Sequence, residues 1–511
     1  MKMIKKLVST FLAVTVAAGL VTGCANSNPA AGAAKSKDSD GVNLVMYLYG
    51  TEGVANKDVL SALNEKLKAS INTTLEIKYI DWNDVATKYP LLWASGEKFD
   101  MAYVSGTAPV PYATLAKQGT LADITDLLTN ETPSLKSAIG DSYWKSMEVN
   151  GKIYGVPSTY SEYTAYGFVT RKDLLEKSGI AKVNSVEDME GYMDAAKENG
   201  WAPLNGSANL SMDLYRMFVG TTSDWIDAPG VPNTEMYLTS SLGNTNKVFH
   251  PAFTSEFETF AVKMHEWAEK GYWGKDVLSS AQDDKDNFYN GLSASYISHQ
   301  PDWTGSYGTQ KKKLPDVETE FYAFAEAANK IERKMGVENA TGISANSKYP
   351  DRCLKVIEKL MTDKECYDLF QYGILGREYE VTDGMIKQPD TFNSDKDGFG
   401  FAGWGLRTDS LNIPQATEDP RRYTLNEEWG KSAIDNPYAG FSFDSSSVSS
   451  QLSAISNVDS QLGIQIMLGL TKQDPKEAVA EYRKQLEAAG VNDVIKAVND
   501  QLTEYTSPEK K

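Results

Sequence analysis

The most reactive side chain in this 511-residue chain is Cys24. Its thiolate is a strong nucleophile, and it stands directly after two small residues, Thr22 and Gly23, which leave it accessible to an enzyme. Upstream lie Lys2, Lys5 and Lys6, then an apolar run from Leu7 to Leu20. A charged start, an apolar middle and a small-residue end are the layout of a secretory signal. The run is too short to span a bilayer comfortably, so residues 1–23 read as a removable leader. Other reactive groups are sparse. His250, His265 and His299 are scattered, and no two share a metal-ligand spacing. Gly398-Phe-Gly-Phe-Ala-Gly403 matches G-x-G-x-x-G. It follows a polar, turn-like stretch and opens no helical pattern, whereas a dinucleotide site needs a strand before it and a helix after it. Asn393-Ser-Asp-Lys-Asp-Gly398 begins like a calcium loop, yet Trp404 stands where the closing Glu belongs. The pattern calls for no metal and no cofactor.

The elements that must position a site begin after a tether. Residues 24–41 hold no aliphatic side chain larger than Ala beyond the cysteine, and are rich in Ser, Asn, Gly and charge. Such a segment cannot bury enough surface to fold; it reads as a flexible leash of roughly 20 Å reach. Losing Lys2, Lys5 and Lys6 leaves 48 basic against 69 acidic residues, a net charge of −21. Nucleic acid and anionic lipid select basic surfaces, so neither is an expected partner. Besides Cys24 there are only Cys353 and Cys366. On one continuous helix they would lie roughly 20 Å apart and stay free thiols; a break at Thr362-Asp363 would leave a bridge open.

The periodicity predicts an α/β layer. Leu44 to Tyr49 is a continuous apolar run ending at Gly50, as in a buried parallel strand. Asp58 to Ala69 has helical spacing at Val59, Leu60, Leu63 and Leu67. Thr74 to Ile80 alternates as a strand, Trp82 to Ala94 is helical, and Phe99 to Val104 is a third strand. In such sheets ligands bind at the carboxyl ends of strands, which makes Tyr49, Glu52, Ser105 and Thr107 candidates for a cleft edge. Near the other end, Asp474-Pro475 is a cap with proline at the first helical position. Ala478, Val479, Tyr482 and Leu486 form one stripe, and Val494, Ile495, Val498 and Leu502 a second. These read as packing helices.

Several stretches carry a family resemblance. Leu20-Val-Thr-Gly-Cys24 resembles the lipobox of bacterial lipoproteins. That implies cleavage after Gly23, acylation of Cys24 with palmitate-type chains, and a protein lipid-anchored on the extracellular face of the bacterial cell membrane. Asn150-Gly-Lys-Ile-Tyr-Gly-Val-Pro157 and Arg171-Lys-Asp-Leu-Leu175 resemble the signature of family 1 extracellular solute-binding proteins, the sugar-capturing components of ABC importers. Ala94 to Asp100, Gln118 to Thr125 and Asn339 to Lys348 resemble further parts of that pattern, in order. Gln371 to Tyr379, Gly440 to Asp444 and Ala488 to Val491 are similar to the larger lipoproteins of this superfamily, which carry a C-terminal extension of unassigned role. The Ser445 to Ser453 tract is richer in serine than that pattern.

The resemblance implies a two-lobed, periplasmic-binding-protein-like α/β fold with a cleft between lobes and extra C-terminal helices. Lobe 1 would comprise residues 42–160 plus 336–375, and lobe 2 residues 161–335 plus 376–511. Crossings would fall near Pro157 to Tyr163, Gly336 to Thr341 and Gly373. The implied function is capture of a carbohydrate, in particular an oligosaccharide, by a monomer that delivers it to an ABC permease with its ATPase. The segment Gly291 to Gly305 resembles the part of sugar-binding proteins where a strand ends and an aromatic faces the cleft. It makes Trp303 a sugar platform, with His299, Gln300 and Asp302 as hydroxyl partners. The alternative for Trp303 is a core position beneath the loop. Tyr163 is a core residue or a ligand contact, and Trp404 completes the aromatic candidates. The competing function is a surface glycoside hydrolase, which needs two carboxylates flanking one bond; a surface adhesin without a small ligand is a third reading.

Overall fold

The computed structural model describes residues 41–506, apart from 107, 164, 229–237, 245–246, 335, 437, 439–440 and 442. Cys24 and Thr107 therefore lie outside the described residues. The described residues, 41–506, belong to one compact unit. No helix among the described residues is long and apolar enough to cross a membrane.

The first sheet is built as the alternation predicts. Strand β1 (Val42–Tyr49), helix α1 (Asn56–Ile71), strand β2 (Thr73–Ile80), helix α2 (Val85–Ala94) and strand β3 (Met101–Val104) follow one another. β1 pairs in parallel with β2 along its whole length and with β3 at Met46 and Tyr47. Two later strands complete the sheet: Ala340–Ile343 pairs antiparallel to β3, and Gly155–Pro157 pairs antiparallel to Ala340–Ile343 at the edge. Leu44, Met46 and Leu48 are almost wholly buried against Val59, Leu63 and Leu67 of α1. This core also takes in Val156, Leu354 and Ile357.

The second sheet is smaller and entirely antiparallel. Tyr166–Arg171 lies between Ser295–His299 and Thr319–Ala323. One face packs into a large core that includes Phe168, Tyr192, Phe257 and Trp267. The C-terminal helices Pro475–Ala488 and Val491–Thr506 belong to that same core through Val479, Tyr482, Leu486, Val494, Val498 and Leu502. Asp474 caps the first of them by accepting from the backbone N–H groups of Lys476 and Glu477. Within the serine tract, Val448 and Leu452 supply the apolar contacts. The other face of the sheet covers a third cluster around Phe288, Tyr296, Phe321 and Trp429.

One expectation changes. The expected crossing near Gly373 is not where the chain leaves the first core. Phe399, Phe401, Trp404 and Leu406 still pack there, and pairing with the first crossing strand begins only at Arg407 and Thr408. The reason is three apolar side chains, Phe399, Phe401 and Leu406, that find their burial against Phe370 and the first sheet. As the Thr362-Asp363 pair allowed, the segment from Pro350 to Tyr372 is broken into two helices, with Asp363 capping the second. Cys353 and Cys366 are both buried and free.

The C-terminal helices carry a titratable group. Asp459, 2% exposed, sits in a π-helical turn and accepts a hydrogen bond from the Tyr482 hydroxyl at 2.6 Å. Burial pushes its carboxyl up to about 7, against that hydrogen bond. The folded chain then holds a proton that the unfolded chain has released above the ordinary aspartate range. Its contribution is present at low pH and is lost as pH rises through about 7. Unfolding the wild type and Asp459→Asn in urea at a series of pH values should show the Asn variant losing less stability between mildly acidic and neutral pH, by up to a few kcal/mol. Parallel curves would contradict the assignment.

Candidate functional site

Four aromatic residues meet at the carboxyl ends of the parallel strands. Tyr49 ends β1, Tyr103 lies one residue before the end of β3, and Trp82 begins the turn after β2. Trp404 arrives from far along the chain on its own short turn, Trp404–Leu406. The Tyr49 ring stands edge-on to Trp82 at 5.6 Å and to Tyr103 at 4.9 Å. Trp404 lies 5.2 Å from Trp82, tilted by 43°, and 6.4 Å from Tyr103. Tyr49 and Tyr103 are buried, Trp404 is half-buried, and Trp82 is 54% exposed. The four rings, tilted to one another by 43° to 77°, form an aromatic wall with a packed back and an open front at Trp82. Gly50 makes it possible: its φ of +123° turns the chain out of β1 beneath Trp82 and Ala402.

Beside this wall the crossing strands carry charge. The Glu162 carboxylate accepts from Arg407 at 2.9 Å and lies 3.3 Å from the Lys334 ammonium and 3.9 Å from Arg422. Burial opposes its ionisation, yet Arg407, then Lys334 and Arg422, hold it below the usual glutamate range. The guanidinium groups of Arg407 and Arg422 lie over the Tyr160 ring at 4.4 and 5.3 Å. Tyr103 donates to the Asn339 side chain at 2.8 Å on the neighbouring crossing. Arg407 and Glu162 act electrostatically on Tyr103.

The second sheet contributes His299 and Tyr166, paired across adjacent strands with their rings 5.6 Å apart. The Arg216 guanidinium covers the Tyr166 ring at 4.1 Å and pairs with Asp213 at 2.9 Å. Asp302 accepts from Lys285 and from Ser298, each at 2.7 Å. Burial, the first influence, lowers the His299 pKa; Asp302 and Glu162 oppose this, while Lys334 and Arg216 reinforce it. His299 is therefore a neutral ring within electrostatic range of Glu162 and Lys334.

The sequence-predicted residues divide. Tyr49 and Trp404 stand in the aromatic wall, and Glu52 is exposed on the loop after β1. Ser105 is buried, its carbonyl accepting from the N–H of Tyr112. His299 and Asp302 lie together on the second sheet's edge. Three candidates point inward. Trp303 is 4% exposed; its ring stacks on Phe321 at 5.0 Å, its N–H donates to Thr319, and Arg421 covers it at 4.7 Å. This is the core alternative for Trp303, and its cause is local. His299 and Pro301 open a short helix, Gln300–Gly305, that turns the indole inward where a loop was expected. Gln300, 1% exposed, is interior as well. Tyr163 meets Trp429 edge-on in the same cluster. The sequence reading missed Trp82, Tyr103, Tyr160, Glu162, Arg407 and Arg216. Trp82 carried the same signal as Tyr49, an aromatic at a parallel strand's carboxyl end.

Comparison with known proteins agrees with this architecture. The family described as bacterial extracellular solute-binding protein matches residues 56–365. A domain of unknown function (DUF3502) matches residues 437–507. The chain is 27% identical to a carbohydrate ABC transporter substrate-binding protein of Streptococcus pneumoniae serotype 4, over 96% of each chain. It is 24% identical to lipoprotein LipO of Bacillus subtilis, over 96% of this chain and 97% of that one. In fold it resembles the N-glycan transport solute binding protein NgtS of Streptococcus pneumoniae. The TM-score is 0.71 at 23% identity, over 91% of this chain and 99% of the other. Complexes of NgtS with Man1GlcNAc and Man5GlcNAc match at 0.63 and 0.60. The family match covers well over half of the chain, and with it this protein belongs to the bacterial extracellular solute-binding proteins.

Proposed function

We propose that this protein captures a neutral oligosaccharide outside the cell and delivers it to an ABC permease and its ATPase. One observation carries the reading: an indole left 54% exposed at Trp82, backed by Trp404 at 5.2 Å, at the ligand-binding end of a parallel sheet. An indole offers a flat apolar face to the C–H side of a pyranose, while its N–H can still donate. Glu52, Glu162, Arg407, His299 and Asp302 supply donors and acceptors for the hydroxyl groups around that face. Tyr49 and Tyr103 support the wall from behind, and Trp303, Gln300 and Tyr163 stiffen the second sheet. The names of the relatives support a carbohydrate: one is a carbohydrate substrate-binding protein, and NgtS has been crystallised with Man1GlcNAc and Man5GlcNAc. Neither of these two names is that of a hydrolase.

In this reading residues 42–160 with 336–406 form lobe 1 and 161–335 with 407–506 form lobe 2, acting as a monomer that closes on its ligand. The division follows the separate cores on either side of the crossing strands. Calorimetric titration of the mature protein with Man1GlcNAc, Man5GlcNAc, maltotriose and chitotriose tests it. At least one should bind without being shortened and should compact the protein in solution scattering. Shorter products would favour the hydrolase.

The anchor is Cys24, lipidated after removal of residues 1–23, with residues 24–41 as the leash. LipO's designation as a lipoprotein supports this. Wild-type protein should partition with membranes, since two or more acyl chains hold stably. Cys24→Ser should be released or remain unprocessed; a Ser variant still acylated and cleaved after Gly23 would refute the lipobox.

A further inference from the structure

The Gly398-Phe-Gly-Phe-Ala-Gly403 motif binds no dinucleotide in the reading above, yet two of its glycines, Gly398 and Gly403, are required, as is Gly405 just beyond it. A Cβ at Gly398 would come within 2.6 Å of the Ser394 carbonyl oxygen. At Gly403 it would strike the Phe370 ring at 2.5 Å, and at Gly405 the Ala340 carbonyl oxygen at 2.6 Å. The stretch is a strap pressed between α1 and the first core, and Trp404 is the residue it delivers. Phe401, 2% exposed, nails its centre into that core against Phe370. Gln371 donates to the carbonyl of Gly403 at 3.1 Å.

The tie on the other side is Asn56, the first residue of α1 and itself 2% exposed. Its amide nitrogen donates to the carbonyl of Gly400 at 2.9 Å, and its amide oxygen accepts from the N–H of Gly400 at 3.0 Å. One side chain thereby satisfies both backbone groups of a single residue 344 positions away, as a neighbouring strand would. The same nitrogen also donates to the Tyr79 hydroxyl at 2.7 Å. The N–H of Ala55 adds a bond to the carbonyl of Gly398. Between these fixed points Ala402 adopts φ +55°, a left-handed conformation that a non-glycine residue keeps only where its surroundings impose it. Two residues later the chain presents Trp404 to Trp82.

We infer that Asn56 is the positioning residue of the ligand site: it fixes the pitch of Trp404 against Trp82 without itself touching ligand. This rests on the carbohydrate reading for its binding consequence, but its geometric content can be tested without any sugar. Among the described residues, Trp82 and Trp404 are the only two tryptophans in ring contact. Two coupled indoles give an exciton couplet in circular dichroism, which Trp404→Phe should abolish. Asn56→Ala should reduce the couplet to the Trp404→Phe level, whereas Tyr79→Phe, which keeps both bonds to Gly400, should retain it. Toward whichever sugar of the panel binds, Asn56→Ala should be about tenfold weaker, the scale of a lost buried hydrogen-bond pair. If Asn56→Ala does not fold, Asn56→Asp keeps the acceptor and loses both donors, and should weaken couplet and affinity together. An undiminished couplet in the folded Ala or Asp variant overturns the inference. If no sugar binds the wild type, the carbohydrate reading fails while the couplet still decides the role of Asn56.

Discussion

Trp303→Ala should lose roughly 3–5 kcal/mol of folding stability while leaving sugar affinity unchanged in the protein that remains folded. The indole is 4% exposed, stacked at 10° on Phe321 and bonded to Thr319. Its removal opens a cavity beneath the second sheet and leaves the Thr319 hydroxyl without its donor. The Arg421 guanidinium, which lies over the ring at 4.7 Å, loses its cover as well. Chemical denaturation gives the stability and calorimetry the affinity. A stable variant with weakened binding would return Trp303 to the ligand site.

Glu162→Ala should cost a similar amount, about 3–5 kcal/mol, by a different route. Arg407, Lys334 and Arg422 converge on that one carboxylate, whose side chain is only 11% exposed. Removing it leaves Lys334, and Arg407 and Arg422 over the Tyr160 ring, with less counter-charge. Glu162→Gln keeps an acceptor for Arg407 and should recover part of the loss. Denaturant unfolding of both variants checks this, and an Ala variant as stable as the wild type would mean that Glu418 alone balances Arg422. Because these groups lie on the crossing strands, the Ala variant should also shift the midpoint of any ligand-induced compaction.

Much of the first sheet was legible because its periodicities are local. Leu44 to Tyr49 and Thr74 to Ile80 declare their strands, and the cap at Asp474-Pro475 declares its helix within a few residues. The candidate wall was half legible. Tyr49 follows from the rule that ligands meet strand carboxyl ends, and Trp82 follows from the same rule applied once more. What pattern alone could not give is the partner of Trp82. Trp404 returns to the first sheet because Phe399, Phe401 and Leu406 bury there, and because Asn56 bonds a backbone 344 residues distant. No local period encodes that contact. Trp303 failed as a platform for the opposite reason, since its inward turn is local. Pro301 at a helix start was readable as a helix signal. In the proposed division the crossing expected near Gly373 falls at Arg407 instead, because Phe399, Phe401 and Leu406 are buried with the first core.

We propose that carbohydrate is captured on the Trp82–Trp404 wall. The most direct test is the calorimetric titration of the glycan panel against wild type and Trp82→Ala in parallel. Trp82 is largely exposed, so its removal should leave the fold intact. At least one oligosaccharide should bind the wild type, stabilising it by about 2.7 kcal/mol at 100 times its dissociation constant, and should bind Trp82→Ala at least tenfold more weakly. A sugar that binds both proteins equally well would contradict the proposal.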